Sequence, residues 1–430
     1  MATASGELML ASGHVNISPR FPLHLAGYGL DRMSAGAVGE PLEANALLLQ
    51  CKQGRVLFVQ VDVISAGNAL RRHLLDHFGA RLQDEELFLV ASHTHFAPNI
   101  DANLPGIGQV DPAYVDQVFE QITGLVDRVL RALPEPVHLE YGEGRANHSV
   151  NRRHWCFSPM LRFPPVKRVM ARHPNPRGLR DETVRVWSAS PSGSGPAPLA
   201  VLWNYACHPV TTWPFNAISA DYPGAVRRSI RTRFGGNVSV VFLPGFAGDV
   251  RPNRIDRLPL SPYRLLHRIV NGPIFGEFQA KSSRRWVSSL ADLVVATLSA
   301  KLYAVPVARI SGRRISLSMG EVMEGEVDSR PLSFQLVRID DSFAILGISA
   351  EPVAEYAVGL DDLLSPGTFV PVGYIDGVCA YLPTTEMLSE GGMEVTSPGY
   401  GLEHANYRLH VSNIVRTAVQ ALSPAVRSGK

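Results

Sequence analysis

Apolar residues in the first hundred positions come in short β-branched runs rather than in one long span. NALLLQC near 45, RVLFVQVDVI near 55 and ELFLVASHTH near 86 read as buried strands. Between the last two lies ALRRHLLDHFGARL, whose leucines recur at helical spacing and whose Gly79 is placed to end the helix. That strand, helix, strand order predicts a βαβ unit and an α/β architecture. A second helical pattern, YVDQVFEQITGLVDRVLRAL, precedes the strand candidate VHLEYGEGRA. Further along, ETVRVWSAS and LAVLWNYACH read as strands parted by the Gly-, Ser- and Pro-rich loop SPSGSGPAP. NVSVVFLPG, SFAILGIS and TFVPVGY are later strands, and EPVAEYAVGLDDLL is a helix. The chain shows no internal repeat and no clear linker. The expectation is one α/β domain over residues 1–430, with mixed β-sheets flanked by helices and an active site at the strand exits.

Two stretches break this pattern. From Arg152 to Arg180 and from Arg251 to Arg285 the chain is rich in arginine and proline and poor in acids, so basic loop insertions are expected near 152–180 and 251–285. They are either a solvated basic face or a lid over an anionic or polar substrate, because guanidinium forks bind carboxylates and phosphates well.

Composition narrows the class. Of 430 residues, 45% are hydrophobic and 19% charged, as in a folded globular protein. A formal net charge of +2 gives no reason to expect nucleic acid as a partner. The opening residues lack a basic n-region and an apolar h-region, and no stretch offers about eighteen consecutive apolar residues. A cytoplasmic protein with no membrane span is therefore expected. Cys51, Cys156, Cys207 and Cys379 are scattered without a CxxC pair, which argues against a disulfide scaffold or a thiolate zinc knot.

The strongest chemical signal is SHTHFAPN, where His93 and His95 alternate at the end of an apolar strand. Period-2 geometry would send both imidazoles to one side, as a metal or catalytic site requires. Phe96, Ala97 and Pro98 follow where a metallo-β-lactamase fold would continue with an Asp-His pair. A second strand delivers His208 and then a loop with Asp221; a third runs into a glycine-containing turn ending in Asp249, Arg251 and Asn253. Catalytic groups gather at the carboxyl ends of strands in open α/β sheets.

Taken in order, these motifs resemble the catalytic domain of the neutral (alkaline, non-lysosomal) ceramidase family. NISPRFPLHLAGYG with Ala26, Gly27 and Tyr28 matches its opening, and SHTHFAP its THTHSGP motif. Asn151 and Arg152 match its Asn-Arg turn, His208 through Asp221 its HGT...SGD block, and FAGDVRPN its NAGDVSPN. AEP around Glu351 matches its PGE, and GYIDGVCAYLPTTE, with Tyr381, its GY...Y.TT.E segment.

The resemblance implies one Zn²⁺ per chain held by His93, His208, Glu351 and Tyr381, with His95 and Arg152 as catalytic groups and Asp221, Asp249 and Asn253 as weaker candidates nearby. It implies hydrolysis of a linear N-acyl amide by activated water, with ester or lactone hydrolysis as a close variant. Three departures qualify it. Gly245 stands where the family has a serine, Met393 replaces an aromatic in EGGMEV, and the family's secretion signal and carboxyl-terminal immunoglobulin-like domain have no counterpart in the 430 residues. The substrate is accordingly expected to be a small polar or anionic amide rather than ceramide. Two competing readings remain: a non-catalytic protein binding lipid or anionic ligands on the same scaffold, and a two-metal phosphoesterase using Asp62, Asp221 and Asp249. Oligomeric state is left open, a homo-oligomer included.

Overall fold

The β-branched runs fold into one long sheet that doubles back on itself. The computed structural model describes residues 7–34, 36–158, 167–193, 197–256, 262–402 and 404–423. In chain order, β1 (Met9–Asn16), β2 (Glu43–Cys51), β3 (Gly54–Val61), α1 (Asn68–Phe78), β4 (Leu87–Ala91), α2 (Pro112–Arg131) and β5 (Glu135–Arg145) come first. Next are β6 (Ser149–Ser158), β7 (Lys167–Asn175), β8 (Thr183–Pro191), β9 (Ala200–Tyr205), α3 (Asp221–Phe234) and β10 (Ser239–Pro244). Then follow β11 (Val250–Pro252), α4 (Pro262–Asn271), α5 (Ala280–Ser299) and β12 (Tyr303–Val305).

The strand order is β10-β9-β8-β5-β1-β2-β3-β4, with β12 beside β5. The predicted βαβ unit is present: β3 and β4 pair in parallel across α1. Only Met9↔Pro136 and Leu10↔Glu135 join β1 to β5, so this junction acts as the fold line between two half-sheets. Alternate residues show the result. Leu47, Leu49 and Phe58 of one half share a core with Trp187, Leu202 and Leu243 of the other. Their neighbours Ala46, Leu48 and Leu57 face outward onto Leu70, Leu74 and Phe78 of α1 and Val118 and Ile122 of α2. Val186, Trp203 and Phe242 likewise face α3 and α5. Four layers follow from a strand pattern apolar on both faces, because each face must meet an apolar partner.

The flanking helices start and stop where local chemistry directs. The Asp111 carboxylate caps α2 by accepting the Tyr114 N–H, with Pro112 just inside the helix. Gly79 ends α1 with φ of 50°, a conformation glycine enters at little cost. A further sheet of Ile310–Ser318, Pro331–Ile339, Phe343–Ile348 and Thr368–Val372 packs on helix Val411–Leu422. No helix of the described residues is long and apolar enough to cross a membrane.

Three expectations need correction. The basic stretch near 152–180 is not a loop insertion: most of it forms the antiparallel hairpin β6–β7, although residues 159–166 lie outside the described residues. β7 carries Arg168 and Arg172 exposed while β6 turns Arg152 and Arg153 inward, which hides the usual alternation. The stretch near 251–285 contains β11, α4 and the start of α5, with residues 257–261 outside the described residues. EPVAEYAVGLDDLL begins as the two-residue strand Glu351–Pro352 and continues as two short helices, Glu355–Gly359 and Asp361–Leu364, separated at Leu360.

Candidate metal centre

Folding the sheet brings the exits of β4 and β9 together, although these strands lie near opposite ends of the strand order. The ring centroids of His93 and His208 are 5.2 Å apart, and those of His93 and His95 are 5.1 Å apart. Sequence alternation is not what pairs the two histidines of the HxH motif. β4 ends at Ala91, and His93 sits in a left-handed turn with φ of 63°. The turn is held by the Ser92 N–H on the Val61 carbonyl and the His93 N–H on the Val63 carbonyl. Such backbone strain in a non-glycine residue costs on the order of 1–3 kcal/mol and persists only where its surroundings enforce it.

Each imidazole is oriented in the same way. His93 Nδ1 lies 2.8 Å from the Ile64 carbonyl, His208 Nδ1 lies 2.7 Å from the Ala247 carbonyl, and His95 Nδ1 lies 3.2 Å from the Gly27 carbonyl. A carbonyl can only accept, so each Nδ1 carries the proton and each Nε2 presents a lone pair. All three Nε2 atoms are buried without a hydrogen-bond partner. The donor atoms of His93, His95 and His208 fall within 4.8 Å of one another, a spacing that could hold a metal ion.

Glu351 closes the group. Its Oε1 accepts a 2.6 Å hydrogen bond from Tyr400, while its Oε2 is 3.0 Å from His208 Nε2 and 3.6 Å from His93 Nε2. Neither short approach is directed as a hydrogen bond, and Oε2 is left unpartnered. A carboxylate oxygen and histidine lone pairs aimed at one another repel unless a cation sits among them. The donor set thus fits a divalent ion with nitrogen and oxygen ligands. Burial pushes His95 well below its ordinary value, with His93 and His208 adding to the effect.

Tyr381 pairs in register with Glu351 on the adjacent parallel strand, and the Arg152 guanidinium carbon lies 5.3 Å from the centre of its ring. Arg152 reaches the site through a β-bulge: the register of β6 against β7 shifts between Asn151 and Arg153. Both Arg152 and Arg153 therefore clamp the buried Glu394, each at 2.8 Å. Arg152 Nη2 remains buried and unpartnered.

The other candidates hold the frame. Asp221 accepts from the N–H and hydroxyl of both Thr211 and Thr212, at 2.6–2.8 Å. Asp249 accepts from Ala354 N–H at 2.8 Å and Asn151 Nδ2 at 2.6 Å, and burial pushes its pKa up to about 6. Asp62 pairs with Arg227 at 2.8 Å. These three carboxylates are thus committed to separate partners. Asn253 lies just beyond β11, its N–H on the His148 carbonyl. Glu394 and Tyr400 escaped the sequence reading because EGGMEV and SPGYGLE carry no pattern that points at a distant carboxylate or arginine. At Gly245 an added Cβ would lie 2.8 Å from Ala206 Cβ, so a side chain there has no room.

The doubled sheet with helices on both outer faces, and histidines at strand exits, is the architecture of a neutral-ceramidase-like catalytic domain. The structure is similar to a crystal structure of neutral ceramidase from Pseudomonas aeruginosa, with a TM-score of 0.75 and 16% sequence identity, covering 98% of this chain and 75% of that one. A second ceramidase structure, described as complexed with C2, superposes with a TM-score of 0.74 at 15% identity and the same coverage. By sequence the chain matches no protein-family model and no curated protein. At such low identity the likeness establishes the fold.

Proposed function

We propose that the protein is a zinc-dependent hydrolase of linear amides, acting on a small polar or anionic substrate rather than on ceramide. The observation that carries the reading is the convergence of buried, unpartnered acceptors: Nε2 of His93 and His208 and Oε2 of Glu351. His93, His208, Glu351 and Tyr381 would hold the ion, and His95 and Arg152 would act on the substrate. A bound Zn²⁺ supplies Lewis acidity and lowers the pKa of water toward about 7.

The chain's own groups account for the rest. Burial keeps His95 neutral at physiological pH, so its Nε2 accepts a proton from the attacking water and then delivers it to the departing amine nitrogen. Arg152 stays cationic: burial opposes its charge, but Tyr381 and Glu394 more than restore it. Its free Nη2 can donate to the scissile carbonyl oxygen as negative charge develops there, and the Glu394 clamp fixes it beforehand. The family-like serine position is closed at Gly245, so no serine nucleophile is invoked there. Met393 leaves that position without a phenol, and the Tyr400 phenol reaches Glu351 directly.

The test is metal content by elemental analysis beside turnover on a panel of N-acyl amides. His93→Ala and His208→Ala should each lose the metal and the activity. Full turnover by metal-free protein would reject the reading.

A further inference from the structure

A surface cavity of about 1180 Å³ between the β5 and β12 region and the ends of α3 and α5 is lined by none of His93, His95 and His208. A second cavity of about 570 Å³ lies beside the metal centre, within the size range of small-molecule sites. Tyr28 joins the two: it lines the cavity, and its ring centroid is 4.9 Å from that of His95. The cavity carries Arg172, Arg251 and Arg254 against the single carboxylate of Glu277. None of the three arginines has a carboxylate within ion-pair distance among the described residues, whereas the fully buried arginines Arg71, Arg152, Arg153 and Arg227 all do.

Arg251 is the central one. It is half-buried on β11 opposite Val150, two strand positions from Arg152, and its guanidinium carbon lies 4.9 Å from the Phe275 ring centre. Stacking on an aromatic face leaves the edge of a guanidinium free to bind a planar oxyanion with two parallel hydrogen bonds. Burial lowers its pKa to about 10, and the neighbouring Arg172 and Arg152 contribute to that shift. An arginine desolvated beside other cations is poorly compensated until an anion arrives. Tyr28, Trp213 and Phe215 supply flat apolar wall beside it.

Resting on the hydrolase reading above, we infer that this cavity is the substrate's recognition subsite, with Arg251 as its specificity-determining residue binding a carboxylate carried on a flat or aromatic group. The amide bond then lies toward Tyr28 and His95, and the carboxylate toward β11. Discrimination comes from the charged end, so a neutral amide of the same shape is a poor ligand.

The test uses zinc-loaded full-length protein and two probes of equal shape, phenylacetate and phenylacetamide. Binding is measured by calorimetry and by quenching of Trp213, which lines the cavity and is 52% exposed. Wild type should bind phenylacetate at least about tenfold more tightly, as expected for a guanidinium–carboxylate pair. Arg251→Met should abolish that preference while binding phenylacetamide within about threefold of wild type. Arg251→Lys, which keeps the charge but lacks the fork, should retain part of it and serves if the Met variant does not fold. His208→Ala, predicted to lack metal, should keep the preference; its loss there alone would place the anion on the metal and overturn the inference. Equal binding of both probes by wild type, or an undiminished preference in Arg251→Met, would also overturn it. Failure of every amide to turn over, with the Arg251-dependent preference intact, would count against the hydrolase reading and leave the subsite standing.

Discussion

Tyr400→Phe removes one oxygen atom and tests whether Glu351 is held for a cation. The phenol donates to Glu351 Oε1 over 2.6 Å, and the rest of the carboxylate is left for the histidine side of the site. Phenylalanine preserves the ring, which packs against the main core, and makes the same demand on a backbone with φ of 60°. Hydrogen bonds to charged groups contribute about 1.5–3 kcal/mol. At about 1.4 kcal/mol per factor of ten, the loss corresponds to roughly 10- to 100-fold weaker metal binding, which agrees with the usual effect of removing a group that orients a ligand. Burial, reinforced by the Glu351 charge, raises the Tyr400 pKa well above 10, so the phenol keeps its proton throughout neutral pH and the deficit should not vary there. The assay is competition for Zn²⁺ against a fluorescent chelator at several pH values, with a urea titration of the metal-free protein alongside. Affinity within twofold of wild type would refute the argument, because it would mean that Glu351 needs no positioning or takes no part in the site.

Three further outcomes are expected. His95→Ala should keep one equivalent of metal while losing turnover by roughly 10²- to 10⁴-fold; loss of the metal instead would make His95 a ligand. Gly248→Ala should destabilise the protein by about 1–3 kcal/mol, because the new Cβ would meet the Glu351 carbonyl and lie 2.9 Å from the Pro352 carbonyl, both backbone atoms that cannot move aside; an unchanged urea midpoint would contradict this. Burial opposes the Glu43 charge, but Arg227 and Arg231 prevail and lower its pKa below 4.5. A carboxyl depressed by folding stabilises above its unfolded value and loses that contribution as pH falls through the folded one. The stability gap between wild type and Glu43→Gln should therefore be full at neutral pH and close below about pH 4.5; a gap that persists at pH 2 would show the effect to be packing rather than charge.

Much of the site could be read before any fold was known, but unevenly. The HxH motif is visible because it is local, but a left-handed turn at His93, not strand alternation, sets the two rings together. His208 is marked by its place at a strand exit, whereas Glu351 and Tyr381 are reached only through motif resemblance, since a buried acid or tyrosine looks the same in sequence whether or not it faces an ion. Glu394 and Tyr400 stayed invisible because their partners, Arg152 and Glu351, are 242 and 49 residues away.

The sequence alone determined the apolar strands β2 to β5 and β8 to β10 and the helices α1 and α2, because two-residue and 3.6-residue periodicities, capping groups and glycine turns act within a few residues of themselves; the arginine-bearing hairpin β6–β7 and helix α5 carry no such clear pattern. Tertiary structure decided the rest. Nothing local tells β2 that both its faces will be covered, or that the sheet folds at the two-residue junction of β1 and β5. That fold is driven by large apolar faces seeking partners across the molecule, and it is what carries His208 to His93 and sets arginines around a cavity beside them.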